Sequence, residues 1–260
     1  MRNMPRAEIN NYSYTWVKMK IIDIRSPVFH TYLFLSFLVW VPIFFFVDNS
    51  FLLPLALALI VSLLLVFALA RIAPGAVLRS LGSIPATEKQ FPRLHNALDG
   101  ICVNHGLDKP DVYVIESPNG NAAAVADKRS QAVVLTTGAI DSLDLVEIEG
   151  LLAQLVAKCL DSRLSKKTVE AFFLRFPLVG IFTGSKKYQD DVRLEDVRGA
   201  ELTRYPPGVQ RSLLALKGLG TEIEDAPKST SHLWLMNPKG LDTEETHPST
   251  EERVSAMEEL

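Results

Sequence analysis

Hydrophobic residues are spread along this chain in three ways, and each predicts a different kind of element. Residues 31–70 are almost continuously apolar: they contain no Lys, Arg or Glu, and Asp48 is their only acid. Asp48-Asn49-Ser50 divides the run into 31–47 and 51–70. Each half is close to the ~20 apolar residues that cross ~30 Å of hydrocarbon as a helix. Pro42 and Pro54 fall inside the halves, where membrane helices tolerate proline better than soluble ones do. A buried soluble hairpin is the alternative, but forty residues without one basic side chain argue against it. The flanks set the orientation. Arg2, Arg6, Lys18, Lys20 and Arg25 precede the first span, Arg71, Arg79, Lys89 and Arg93 follow the second, and the connecting turn has no basic residue. Both ends are therefore expected in the cytoplasm. About thirty largely polar residues before the first apolar run make a cleavable signal peptide a poor fit.

Beyond residue 70 the spacing becomes that of a mixed domain. Residues 71–84 read as a connector and 85–260 as one cored domain. Thr87-Glu-Lys-Gln90 fits a capping box opening a helix whose apolar side is Leu94, Leu98, Ile101 and Cys102. His105-Gly106 ends that helix before Pro110. Short strands are expected at 112–115, 121–125 and 132–135. Asp144, with Glu147 three positions on, caps a helix whose apolar stripe is Leu145, Ile148, Leu152, Leu155 and Cys159. Glu147, Gln154, Lys158 and Asp161 share its opposite, polar stripe. Residues 171–182 are apolar but too short to span a bilayer; they fit docking on the membrane surface slightly better than packing in the core. A basic pair, Lys186-Lys187, follows. Further helices are expected at 194–203, at 209–219 and after Ser249, with a polar loop over 222–231. The pattern is α+β, a small sheet with mostly helical surroundings behind an N-terminal hairpin.

Composition then narrows the chemistry. Seven of the 13 Phe lie between Phe34 and Phe67, which explains a positive mean hydropathy of +0.15 beside an ordinary 22% of charged residues. Cys102 and Cys159 cannot form a disulfide framework or a four-thiolate metal site. A net charge of −3 without a basic cluster gives no support to a nucleic-acid partner. A helical zinc site needs two imidazoles one turn apart with a carboxylate beside them. The five His are at 30, 95, 105, 232 and 247, and no two are four apart. There is no G-x-S-x-G elbow and no Gly-rich phosphate loop. From the residues alone, the domain carries no recognisable active site.

Several short motifs nevertheless occur in a telling order. They are Pro92-Arg-Leu-His95, Pro110-Asp-Val-Tyr113, Asn121-Ala-Ala-Ala124 and Leu135-Thr-Thr-Gly138, then Leu202-Thr-Arg-Tyr-Pro-Pro-Gly208, His232-Leu-Trp-Leu235 and Thr246-His-Pro-Ser249. Together with the preceding apolar pair, they make residues 85–260 resemble the HtpX-type membrane zinc metallopeptidases, which have the gluzincin fold. That family carries H-E-x-x-H on its active-site helix: two zinc ligands and the general base. Here the matching stretch is Gln154-Leu155-Val156-Ala157-Lys158. The family's third ligand is the Glu of an E-x-x-A-D segment. Here Val192 stands in its place, Glu195 takes the Ala position and Asp196 matches the Asp.

Gln154, Leu155, Lys158 and Val192 are thus vestigial active-site positions, with no catalytic residue and no metal ligand retained. Zinc chemistry depends on deprotonated ligands, and an ammonium at a ligand position repels a divalent cation. Lys158 is expected to supply the positive charge in the metal's stead, pairing with Asp196 or Glu195. Taken alone, Gln154 and Lys158 are simply a solvated helix face. By resemblance, Asn121, Ala122 and Ala123 would lie on a strand along which a peptide pairs, with Asp196 and His247 bordering the same cleft. Taken alone, these are a turn, a buried strand and surface positions. The resemblance implies a membrane-anchored pseudopeptidase without a cofactor, acting as a scaffold, regulator or peptide-binding subunit. Its partners would be the lipid bilayer and either an active homologous peptidase or a membrane-protein client. The alternatives are a working zinc endopeptidase in membrane-protein quality control and a tethered interaction module whose cleft is idle.

Overall fold

The computed structural model describes residues 26–46, 51–176, 189–240 and 246–258. The turn at Asp48, the N-terminal basic segment, residues 177–182 of the apolar stretch and Lys186-Lys187 lie outside the described residues.

The apolar run forms two helices, α1 (Pro27–Phe46) and α2 (Leu52–Ser80), packed side by side. Both are long and apolar enough to cross a membrane. On α2 the buried positions are Pro54, Ala58, Ser62 and Val66, then Ala73 and Val77, mostly small residues at helical spacing. A stripe of this kind lets helix backbones approach without bulky side chains between them. The hydroxyls along the pair bond back to their own helices: Thr31 to the Pro27 carbonyl at 2.9 Å, Ser36 to Tyr32 at 2.8 Å and Ser62 to Ala58 at 2.6 Å. In hydrocarbon, such groups have no water to fall back on. Outward faces carry Leu33, Phe37, Leu38, Leu63, Leu64 and Phe67, all exposed. An apolar surface of that extent marks a membrane-facing region.

The expected connector is largely helix instead. α2 runs on to Ser80, because nothing stops it before Gly82, whose φ of +67° provides the left-handed exit. Its last turns enter the domain, where Val77 and Leu81 join the hydrophobic core.

The sheet has four strands, β1 (Ile84–Pro85), β2 (Asp111–Ile115), β3 (Ala122–Ala126) and β4 (Gln131–Thr136), in the order β1-β2-β4-β3. β2 and β4 are parallel, with Tyr113 opposite Val134, and the other pairs are antiparallel. The crossover between β1 and β2 is α3 (Pro92–His105), ended by Gly106 at φ 63°. It does not begin at the Thr87 box. Pro92 occupies the first helical turn and drives Phe91 to φ −128°, while the Thr87 hydroxyl donates to the Gln90 side chain rather than capping backbone.

After β4 come α4 (Thr137–Ser142), α5 (Leu145–Cys159), α6 (Leu164–Phe173), α7 (Gln189–Thr203), α8 (Pro206–Leu219), a 3-10 turn at Lys228–Leu233 and α9 (Thr250–Glu258). β3 is contacted by α5, α6 and α2, and all five of its residues are buried. Alanine suits a strand so enclosed. α5 is the central helix: it packs on β3, β4, α3, α7 and α8, and everything from Gly150 to Cys159 is buried. Its polar stripe is therefore not solvated, because α7 and α8 cover it.

That close packing makes a paired prediction. A Cβ on Gly150 would lie 2.4 Å from the Gly208 carbonyl oxygen, a backbone atom that cannot rotate away. Gly150→Ala should lower stability by about 1–3 kcal/mol or more through overpacking. A Cβ on Gly100 in α3 would meet nothing within 4 Å, so Gly100→Ala should add roughly 0.5–1 kcal/mol through helix propensity. Thermal unfolding of the two variants in detergent checks both signs.

Candidate functional site

Gln154 and Lys158 lie on the side of α5 that α7 covers, and Leu155 lies on its apolar stripe. A full capping box opens that helix: the Asp144 carboxylate accepts from the Glu147 backbone at 2.8 Å, and Glu147 returns the bond at 2.9 Å. From there, Gln154 and Lys158 fall one turn apart. α7 crosses closely because it presents Gly199, where an added Cβ would lie 2.9 Å from the Gln154 side chain. This approach brings Glu195 and Asp196 against α5, with Val192 one turn earlier on the same helix.

Lys158 Nζ donates to Glu195 Oε2 at 2.7 Å, with both side chains almost wholly buried. Gln154 Nε2 donates to Asp196 Oδ1 at 2.6 Å, and its own Oε1 accepts from the Ser212 hydroxyl of α8 at 3.2 Å. Arg253 of α9 completes the group. Its Nε and Nη2 grip Asp196 in a two-point fork, each at 2.7 Å, and its Nη1 donates to the Leu235 carbonyl at 2.9 Å. Leu155 and Val192 are buried and apolar.

A second cluster adjoins this one. Lys167 of α6 lies 3.0 Å from Asp161, 3.0 Å from Asp191 and 3.7 Å from Glu195, while Arg163 bonds both aspartates. Burial opposes ionisation of Asp161, but the Arg163 hydrogen bonds and the Lys167 charge hold its carboxyl at about 2. Burial also works against the Lys167 ammonium, and Glu195, Asp161 and Asp191 overcome it to raise the lysine. Positive and negative groups thus alternate from Lys158 through Glu195 and Lys167 to Asp161, Asp191 and Arg163.

The expected pairing of Lys158 is found with Glu195; Asp196 belongs to Arg253. The solvated-face reading of Gln154 and Lys158 is corrected, since both are at most 1% exposed. Zinc, which the family resemblance implies, does not fit these side chains. Gln154 offers an amide and Lys158 an ammonium where the resemblance would put the imidazole ligands, Leu155 is an aliphatic chain where it would put the base, and the Asp196 carboxylate is taken by the Arg253 guanidinium. Among the described residues, no three His, Cys, Asp or Glu are placed to hold a metal ion. Nor is there an activated thiol: burial pushes Cys159 up to about 12.

The remaining predicted residues form a sealed edge. Asn121 is fully buried. Its amide donates to the carbonyls of Thr221 at 2.9 Å and Met236 at 3.1 Å, and its Oδ1 accepts from the backbones of Ala122 and Met236. Ala123 bridges Trp234, and the Leu235 N–H donates to the Ala122 carbonyl at 2.7 Å. The outer edge of β3 at Ala122 and Ala123 is therefore occupied by the chain's own residues 234–236. His247 is buried rather than at the surface, and its Nε2–H donates to the Trp234 carbonyl at 3.0 Å. Arg253, Ser212, Lys167 and Asp191 carry much of the arrangement and were not singled out from sequence, and Asp161 was read only as part of the polar stripe. Only Arg253 had a signal, its place shortly after the Thr246-His-Pro-Ser249 stretch.

Two predictions follow from the geometry. Lys158→Met leaves Glu195 buried and uncompensated and should destabilise by roughly 3–5 kcal/mol. Adding Glu195→Gln should recover most of that loss, a coupling that a double-mutant cycle of unfolding free energies measures. Burial pushes His247 down to about 3 against the pull of the Trp234 carbonyl, and Arg253, Lys158 and His232 add to the fall. The folded state thus keeps this imidazole neutral, whereas the unfolded chain protonates it near 6.5. Its contribution is present above pH ~6.5 and lost as pH falls toward 3, with a slope of about 1.4 kcal/mol per pH unit. Unfolding curves between pH 7 and 4 should show that slope, and His247→Gln should flatten it; Asp161 acts only below this window.

No family model matches the chain. Individual relatives do. A protease HtpX homolog of Tropheryma whipplei (strain TW08/27) is 27% identical over 227 residues, covering 71% of this chain and 78% of the relative. The protease HtpX homolog of Dictyoglomus thermophilum is 25% identical over 222 residues, with 70% and 73% covered. That of Salinibacter ruber is 27% identical over 223 residues, with 71% and 80% covered. Two apolar helices lead into a small mixed sheet enclosed by helices, and along about seven-tenths of its length the chain is similar to these HtpX homologs, which supports an HtpX-type family relationship.

Proposed function

We propose that this protein is a membrane-anchored pseudopeptidase: a gluzincin-like domain that keeps its fold, has lost zinc, and faces the cytoplasm from a two-helix anchor. The observation that carries the reading is the buried Lys158–Glu195 pair at 2.7 Å. At the position of the family's second histidine ligand stands a cation with its own counter-ion. A divalent metal brought there would meet an ammonium at close range, and among the described residues no group of three His, Cys, Asp or Glu is placed to offset the repulsion. The charge that zinc would bring to the fold is already present and neutralised, so the domain holds together without it.

Such a protein acts by binding. Its anchor concentrates the domain at the bilayer, where an active homologous peptidase or a membrane-protein client is the natural partner. The cytoplasmic orientation draws support from the basic residues on both flanks of the hairpin and their absence from its turn.

Metal analysis of the full chain purified in mild detergent, beside a protease assay on a casein substrate, tests the reading. The expected result is zinc far below one ion per chain and no chelator-sensitive cleavage. Stoichiometric zinc accompanied by cleavage that a chelator abolishes would overturn it.

A further inference from the structure

The membrane-anchored reading has a geometric consequence at the open end of the hairpin. That end faces the domain. Ser26 and Thr31 near the start of α1, and Ala73, Val77 and Leu81 near the end of α2, are buried, whereas the large apolar residues between them are exposed. From Leu52 to Arg71 an α-helix rises about 29 Å, close to the ~30 Å thickness of bilayer hydrocarbon. Arg71 marks that boundary. It is exposed, and its guanidinium lies over the Phe67 ring, 4.6 Å from the centroid, as a cation does when its stem runs along apolar surface toward headgroups.

α6 touches both membrane helices. Its Ala171 and Phe173 are buried, and Phe172, Phe173 and Phe176 form an aromatic cluster with centroids 5.4–6.3 Å apart. The cluster does not end inside the protein: Phe176 is 42% exposed and the neighbouring Arg175 is exposed as well. An aromatic ring beside a guanidinium, on the segment that follows a helix packed against α1 and α2, has the composition of a bilayer interface. Arg71 and Arg79 lie exposed on α2, the helix against which α6 packs, and add two further cations on that side of the hairpin.

We infer that the C-terminal end of α6 is a second, interfacial membrane contact, in which Phe176 inserts among the headgroups and Arg175, with Arg71 and Arg79, binds anionic phospholipid. The inference rests on the membrane-anchored reading. It adds a fixed tilt: a domain held at α2 and again at α6 cannot swing about one helix.

Nitroxide labelling of the full chain in phospholipid vesicles tests it. Cys102 and Cys159 are both buried, so single labels can be placed at Phe176→Cys, at Leu63→Cys on the outer face of α2, and at Val103→Cys, an exposed position on α3. Collision with oxygen and with a water-soluble nickel chelate reports depth. In phosphatidylcholine vesicles containing phosphatidylglycerol, the Phe176 label should be several-fold less accessible to nickel than Val103 and more accessible than Leu63. Arg175→Glu should return it to the Val103 value, as should vesicles of phosphatidylcholine alone. A Phe176 label as nickel-accessible as Val103 while Leu63 reports hydrocarbon overturns the inference and leaves the anchor standing. A label shielded from both reagents, or one indifferent to phosphatidylglycerol, overturns it too. Nickel access at Leu63 would sink the anchor itself.

Discussion

Everything on the interior side of α5 depends on opposite charges being buried together. Asp196 accepts two hydrogen bonds from Arg253 and one from Gln154, so a single carboxylate ties α7 to α9 and to the central helix. Beside it, Lys158 and Glu195 join α5 to α7 a second time. Charges in a low-dielectric interior are costly one by one and tolerable only as satisfied sets. The set here is joined largely through long-range contacts, which fix how the C-terminal helices must close over the sheet; Glu195 Oε1 has no hydrogen bond and faces the Lys167 ammonium at 3.7 Å. In a metal enzyme, an ion draws ligands from separate helices to one point. Here side-chain ions of both signs perform that gathering.

Much of the frame was legible in the sequence because it is written locally. Asp144 and Glu147 announce the start of α5, Gly106 the end of α3, and two charge-poor runs the hairpin. Burial of Gln154 and Lys158 was not legible, because helical periodicity assigns a polar stripe to water and does not see that α7 and α8 cover it. Their partners lie 37–58 residues further along the chain. The Thr87 box failed for a local reason, since Pro92 sets the helix start by itself. α2 outran its expected end because hydropathy marks where the lipid stops, whereas only Gly82 marks where the helix does. Neither period nor composition singles out 154, 155, 158 and 192; only the resemblance to the HtpX-type proteins draws the eye to them.

The hairpin and the domain are one continuous packed object. α2 runs as one helix from the apolar run into the core, and its Val77 belongs to the same buried cluster as residues of the sheet and the central helices. α6 lies between the hairpin and the ion cluster, with Phe173 in the core and Lys167 among the aspartates. A membrane-facing surface and a buried electrostatic cluster are thus two sides of a single ten-residue helix.

The closed edge of β3 has a meaning for how the chain is made. The residues that seal it, 234–236, come late: Met236 is 115 positions after the Asn121 that clamps it. A chain growing from its N-terminus completes its membrane helices and all four strands before that cover exists. Through that interval β3 presents bare backbone donors and acceptors on its outer side, beside a bilayer crowded with other emerging proteins. The last quarter of the sequence therefore closes an edge that the preceding three-quarters leave open, and the Arg253–Asp196 fork ties that closure to α7.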